Sequence, residues 1–518
     1  MTLETHEALN NVQPDVAMHF DEIRKIPRAP GNESGVREYL DGWAKKLGLK
    51  DDQIKVDEAG NIAISFPATP GYEDARPIII QSHMDMVSDY DEGKKNPAKE
   101  GVDLLEGDGW LTADGTTLGA DNGIGLATSL AVVEEILNKG EPHPEIIIMA
   151  TTSEEAGMIG AENMNKDLIP DNSVILNTDS EEGVGEITVG TAGGEITRGV
   201  WESIKDEREQ VSDDYNVLKI SIDGLPGGHS GMSAGKGLPN ALKILASMLE
   251  SLNESDSVED LKLIEFGNVK LGDAPNMSNI PKSAEALIAV PNSLKAEELN
   301  SLIDEYLKVL KTSEGINLSL GTDNGQRVNI VLVEDEERYA LADETRQQLI
   351  GFVSSISDSA SFEEKFDDVY LSSTLVSVST NDDGVNLITH SRVAESRRPE
   401  LDELVSVIRA KLAENGAKEL EPMSYPGWEE DSDVSIAVQA ALRAHKDIFP
   451  NNEPPVLRKY HAGLELSTLQ EKAQGVSAMS AGPLIEDVHT VSERANIKSI
   501  NEYYEFLLAI VQELSSRP

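Results

Sequence analysis

Two hydrophobic rhythms alternate along the first 190 residues. "HFDEIRKI", "GVREYLDGWAKKLG" and "GIGLATSLAVVEEILNKG" space their apolar residues as helices do, and Gly140 is placed to stop the last of them. "NIAISF" alternates as a half-buried strand does. "PIIIQSH", "PEIIIMATTSEE" and "SVILNTDSEE" are unbroken apolar runs that end in polar residues, the pattern of strands buried on both faces. Strands alternating with helices predict an α/β sheet. From about residue 191 the texture changes. "EITRGVWESI", "NVLKISIDGL" and "SAEALIAV" read as amphipathic strands, with helices at "NALKILASMLESLN" and "KAEELNSLIDEYLKVLK". A similar cycle follows through "QQLIGFVSSI", "LVSVSTND" and "LDELVSVIRAKLAENG". After "YPGWEED" the first texture returns, with helices at "SDVSIAVQAALRAHKDIF" and "INEYYEFLLAIVQELSS" and a strand near "GVSAMSAG". The simplest reading is one α/β domain, residues 1–190 and 425–518, interrupted by an inserted domain at 191–424.

Length and charge narrow the function. A chain of 518 residues has material for roughly three domains. It carries 93 Asp and Glu against 44 Lys and Arg, a net charge of -49. That balance argues against nucleic acid as a partner, which needs a basic face, and against a polybasic membrane contact. The acids are spread along the chain, so a solvated acidic surface is expected, of the kind that suits a halophilic cytoplasm. Cysteine is absent, which excludes disulfides and thiolate metal sites. The first residues, "MTLETHEALNNVQPD", lack a basic start and an apolar core, and no apolar run is long enough to span a bilayer. A cytoplasmic location is the expectation.

The candidate chemistry sits where strands end. His83 and Asp85 follow "PIIIQ", Asp121 lies in the glycine-rich "TTLGADNGIGLA", Glu154 and Glu155 follow "IIIMATTS", Asp179 follows "VILNT", and His489 lies in "GPLIEDVHTVSE". A His-x-Asp pair also serves as an ordinary hydrogen-bonded pair, and two glutamates also suit the start of a helix. The gathering changes the picture. Carboxylates at one sheet edge repel one another, and divalent cations resolve that. Histidine and carboxylate without thiolate suit Zn²⁺, with Mn²⁺ or Co²⁺ as alternatives. Two histidines and three carboxylates suffice for two metals sharing one acid, and one of Glu154 and Glu155 then stays off the metals as a general base. Nucleotide binding at "GGHSGMSAGKG" is excluded. Ser230 stands where a phosphate loop has its first glycine, and Gly237 follows Lys236 where Ser or Thr is needed.

Taken together, "IPRAPGNESGVREYL", "SHMDMV", "DGTTLGADNGIGLA", "TTSEEAGMIGA", "LNTDSEEGVGEITVGTAGG", "GLPGGHSG", "NIPKSAEA", "YPGWE", "HAGLE" and "SAGPLIEDVHT" resemble the aminoacyl-histidine dipeptidases, or Xaa-His dipeptidases, over nearly the whole chain. These belong to the di-zinc superfamily of aminoacylase and the carboxypeptidase-type exopeptidases. The resemblance implies a catalytic domain with a central mixed sheet and an inserted α+β lid and dimerisation domain. It implies one metal on His83, Asp121 and Asp179 and a second on Asp121, Glu155 and His489. Asp85 would orient His83, and Glu154 would take the proton from a metal-bridging water and pass it to the leaving amine. The peptide after the bridging acid, Asp121–Asn122, would be cis. His229 would stabilise the oxyanion, in relatives from the neighbouring subunit of a homodimer. Asn279 and Arg392 would bind the substrate's terminal carboxylate, and Gly463 would line its pocket by its backbone. The implied activity is hydrolysis of unblocked dipeptides such as β-alanyl-histidine. The alternatives are a tripeptide aminopeptidase or an N-acyl-amino-acid deacylase on the same two metals, and a non-enzymatic metal-binding protein. Two departures stand out: Leu466 replaces the Cys that often follows "HAGLE", and Val488 and Thr490 flank His489 where relatives read Pro and Ser.

Overall fold

The computed structural model describes residues 6–205, 208–258, 260–268, 277–321, 325–333, 338–356, 358–362 and 369–516. The chain forms two compact units, Met1–Thr191 with Gly427–Pro518, and Ala192–Pro426.

The first unit is built on the apolar runs. Its strands lie in the order Ile54–Val56, Ile62–Phe66, Ile146–Thr151, Ile78–His83, Val174–Asn177, Ser477–Ser480 and the first part of Glu186–Glu202. Ile146–Thr151, Ile78–His83, Val174–Asn177 and Ser477–Ser480 run parallel. Ile62–Phe66 is antiparallel to Ile146–Thr151, so the sheet is mixed. The isoleucine runs divide their side chains between two cores. Ile78, Ile80, Ile146, Ile148, Val174 and Leu176 enter one, and Ile79, Ile147, Met149, Ile175 and Ala478 enter the other. Alternation of faces in a strand buried on both sides requires this division, and it is why these segments show no polar alternation. Helices Pro14–Ile23, Ala120–Lys139, Ile436–Ile448 and Ile497–Ser515 supply residues to the first core, and Glu465–Lys472 to the second. The helix Ala120–Lys139 ends at Gly140, whose left-handed conformation (φ 62) lets its N–H cap the Ile136 and Leu137 carbonyls.

The parallel register puts His83 opposite Thr151, and Gln81 opposite Asn177, which in turn faces Ser480. Four strands therefore end together, and open α/β sheets bind their ligands at such carboxyl ends.

The second unit holds a five-stranded sheet in the order Lys262–Gly267, Ala284–Pro291, Tyr215–Asp223, Arg327–Leu332 and Ser319–Leu320. Helices Ala241–Asn253, Ala296–Glu314 and Asp343–Ser355 share its core. A hairpin of Val369–Thr380 and Gly384–Ala394 pairs with the second part of Glu186–Glu202. Among the described residues no helix is long and apolar enough to cross a membrane.

Candidate metal centre

Seven residues meet at the strand ends of the first unit. His83 is the last residue of its strand and 1% exposed. Its Nε2 lies 2.9 Å from Asp121 Oδ1 and 3.2 Å from Asp179 Oδ1. The other oxygen of Asp121 lies 3.1 Å from His489 Nε2, which is 2.9 Å from Glu155 Oε2. Asp121 thus stands between two histidines with one oxygen toward each. The donor atoms of His83, Asp121 and Asp179, and those of Asp121, Glu155 and His489, lie within 4.8 Å of one another in each group. A third group of the same kind is His83, Glu154 and Glu155.

Local structure fixes each of these side chains. Asp121 and Asn122 depart from helical geometry at the head of Ala120–Lys139, and the bond between them is cis. Asn122 Nδ2 donates to Asp179 Oδ1 at 2.5 Å and to the Thr178 carbonyl at 3.0 Å. A side chain at Gly125 would strike Asn122 and Thr178, which accounts for a glycine there in "GADNGIG". Glu154 and Glu155 lie in a turn ahead of the short helix Ile159–Glu162, not on it. Asp85 is fully buried and clamps that turn: Oδ1 accepts the Glu154 N–H and Oδ2 the Glu155 N–H, each at 3.0 Å. The Asp85 carboxylate is 3.5 Å from His83 Nδ1, whereas the Asp85 carbonyl is 3.1 Å away. The expected role of Asp85 toward His83 is therefore shared with its own backbone, and the carboxylate's shorter bonds go to the glutamates.

Three buried residues that sequence reasoning did not single out support the cluster. Glu493 accepts the backbone N–H groups of Leu118, Gly119, Ala120 and Asp121 at 2.7, 2.9, 2.8 and 3.3 Å. Arg28 donates to the carbonyls of Met84, Asp85 and Gly119. Glu465 accepts from Gln81 and Thr151. All three fall inside or beside the motif strings, but an acid or base within a motif carries no sign of what it touches.

The electrostatics match an anionic pocket made for cations. Burial favours neutral His83, yet Asp179, Asp121 and Asp85 hold its pKa well above the ordinary value. Burial acts likewise on His489, and Glu155 and Asp121 raise it in the same way. Burial opposes ionisation of Asp121, but its contacts with His489 and His83 keep it well below the usual carboxylate range. Asp179 is pushed up to about 6 by burial, with Asp121 and Glu155 adding to it against the pull of His83. Burial, with Asp179, Glu155 and Glu465 nearby, raises Glu154 well above a normal glutamate despite His83. Buried Glu155 Oε1 has no hydrogen-bond partner among the described residues. Imidazole and carboxylate donors, crowded acids and an unpartnered inward oxygen fit divalent cations of the Zn²⁺ or Mn²⁺ type.

The remaining predicted residues divide between the units. Gly463 precedes the helix Glu465–Lys472 in the first unit and is half-buried. His229 and Asn279 are in the second, facing each other across a two-stranded ladder. His229 Nδ1 accepts the N–H groups of Gly231 and Met232 at 3.1 Å, which leaves the proton of a neutral ring on Nε2. Arg392 is 1% exposed, with Nη1 donating to Ser230 Oγ at 2.8 Å and Nη2 3.0 Å from His390 Nδ1.

The model of peptidase family M20/M25/M40 matches residues 79–513. The chain is 30% identical to the cytosol non-specific dipeptidase of Escherichia coli K12 over 513 residues, 96% of this chain and 97% of that one. The crystal structure of aminoacylhistidine dipeptidase from Vibrio alginolyticus is similar with a TM-score of 0.65 at 27% identity, over 98% of both chains. A tripeptidase from Staphylococcus aureus shares the fold with a TM-score of 0.52 at 18% identity, over 98% of this chain and 100% of that one.

Proposed function

Since the chain belongs to peptidase family M20/M25/M40, we propose that it is a metal-dependent dipeptidase acting on unblocked dipeptides, with a preference for a C-terminal histidine as in β-alanyl-histidine. The observation that carries this reading is the pair of donor groups that share Asp121, in a chain similar to a dipeptidase over nearly its full length. His83, Asp121 and Asp179 would hold one divalent ion, and Asp121, Glu155 and His489 the other, with Zn²⁺ the first choice and Mn²⁺ or Co²⁺ next. Bound there, two such ions supply an activated water and a polarised scissile carbonyl.

The chain's own residues supply the rest. Glu154, whose backbone N–H is bound by Asp85, takes the proton of the attacking water and delivers it to the leaving amine. His229 Nε2–H donates to the developing oxyanion. Asn279 and Arg392 bind the terminal carboxylate, and Gly463 lines the pocket. The protein works in the cytoplasm as a homodimer through its second unit, and the charge of -49 suits a salt-rich one.

The test is a panel of β-alanyl-histidine, glycyl-leucine, a tripeptide and an N-acetyl amino acid, with metal-reconstituted protein at low and molar salt. Chelator-sensitive cleavage of the dipeptides is expected, fastest for β-alanyl-histidine. Cleavage of the acetylated compound alone replaces this reading with a deacylase, and of the tripeptide alone with an aminopeptidase.

A further inference from the structure

Beneath the metal centre the strand ends are joined by a buried polar chain that the reaction does not use. Glu465 is the first residue of the helix Glu465–Lys472 and is fully buried. Its Oε2 accepts from Gln81 Nε2 at 2.7 Å and from Thr151 Oγ1 at 2.6 Å. Gln81 Oε1 accepts in turn from Asn177 Nδ2 at 2.5 Å. Asn177 Oδ1 accepts the backbone N–H of Asp179 at 3.1 Å and the hydroxyl of Ser480. Gln81, Thr151, Asn177 and Ser480 are each no more than 1% exposed. They sit at or near the ends of the four parallel strands. Three of those strands lead directly into His83, the Glu154–Glu155 turn and Asp179.

We infer that Glu465 is a positioning residue, the common acceptor that locks these strand ends together and so sets the spacing of His83, Glu155 and Asp179 for metal. The inference rests on the reading of those three residues as metal ligands. Its physical basis is the geometry of a shared acceptor. Removing Glu465 takes away the shorter acceptor of the Gln81 amide and of the Thr151 hydroxyl, which keep only the longer bonds from Gln81 Nε2 to Thr151 Oγ1 at 3.2 Å and from Thr151 Oγ1 to the Ser82 carbonyl at 3.3 Å, and buried groups so weakened move or draw in water to be satisfied. A shift of one strand end moves a ligand against the others, and groups behind the ligands in metal sites typically contribute 10- to 100-fold in metal affinity. Burial, with Asp179 and Asp85 adding to it and His83 opposing, pushes the Glu465 carboxyl up to about 8. Glutamine keeps an acceptor at this place, its carbonyl oxygen standing in for Oε2. The other oxygen, Oε1, has no hydrogen-bond partner among the described residues.

The experiment is a competition titration of Zn²⁺ against a chelator at pH 7, with kcat and KM measured at saturating metal. For Glu465→Ala the expected result is metal binding weaker by about 10- to 100-fold, with kcat reduced and KM within about threefold of wild type, as for a residue that never touches substrate. Glu465→Gln should recover the metal affinity to within about threefold, given the retained acceptor. Wild-type affinity and kcat in Glu465→Ala would overturn the inference. So would a Glu465→Gln protein as impaired as the alanine variant. If Glu465→Ala does not fold, Thr151→Val carries the test. It deletes one donor at constant shape and should weaken metal binding in the same direction by less, and unchanged affinity overturns the inference. A wild-type chain that binds no divalent ion in the same titration would refute the metal-centre reading itself, whereas a wild type binding two ions beside an indifferent Glu465→Ala removes only the role of Glu465.

Discussion

Asp85→Asn distinguishes a clamp on the Glu154–Glu155 turn from a role in which Asp85 serves His83 alone. The substitution keeps the size of a fully buried side chain and turns one acceptor into a donor. Both carboxylate oxygens are engaged by backbone N–H groups, Glu154 on one and Glu155 on the other. Asparagine satisfies one and presents its amide N–H to the second. A hydrogen bond to a charged acceptor contributes about 1.5–3 kcal/mol, and one of the two is lost. If the turn yields, Glu154 moves and the loss appears in kcat as a drop of about 10- to 150-fold, at 1.36 kcal/mol per decade. If the turn holds, the same loss appears in the urea midpoint of the chelator-treated protein. The assay measures both, on Asp85→Asn and on Asp85→Asn with Glu154→Gln. In the Glu154→Gln background the added substitution should cost little further kcat, because the residue through which it acts is already disabled. An Asp85→Asn protein with kcat within twofold of wild type and an unchanged urea midpoint would refute the clamp.

Glu154→Gln should lower kcat by at least about 100-fold, the usual contribution of general base catalysis, while metal content stays at the wild-type value; loss of metal would place Glu154 among the ligands instead. Without metal, raised pKa values at His83 and His489 mean that their ion pairs with the acids contribute fully below 6.5 and are lost as pH rises toward the folded values. The raised Glu154 acts in the same sense, being bound to a proton in the fold at pH values where the unfolded chain has released it. The urea midpoint of chelator-treated protein should therefore fall from pH 6 to pH 9, and a flat or rising midpoint contradicts this. For Glu493→Gln, two of four backbone N–H groups around Asp121 meet an amide donor, and a loss of about 2–6 kcal/mol in the metal-free fold is expected from two unpaired buried donors. A loss under 1 kcal/mol by urea unfolding would show that the loop is held by something else.

The α/β architecture was legible because its strands are written as isoleucine and valine runs and its helices as 3.6-residue stripes. The stop at Gly140 was legible for the same reason, a local rule acting on a local string. The polar residues that close each run told where the strands end, and His83, Asp121, Glu155, Asp179 and His489 do come together there. What no string carries is a contact across the chain. Glu493 lies 375 residues from Leu118, whose N–H it accepts, and Glu465 lies 384 from Gln81. Their burial as carboxylates could only be seen once the sheet had brought the segments together. Asp85 illustrates a subtler limit. The resemblance implied that it orients His83, but the strand stops at His83, and the chain beyond it turns the carboxylate toward the Glu154 and Glu155 N–H groups. The inserted unit was read as strands and helices, yet the ladder that sets His229 opposite Asn279 is only two residues long on each side, too short to leave a hydrophobic rhythm.

The most direct measurement of the central claim is anomalous diffraction from crystals of the protein reconstituted with Zn²⁺. Two peaks are predicted, about 3.5–4 Å apart as in two-metal hydrolytic sites, one on each side of Asp121. The first should lie against His83 and Asp179, the second against Glu155 and His489. A single peak, or peaks that leave Asp121 uncoordinated, would contradict a pair of metals bridged by that carboxylate.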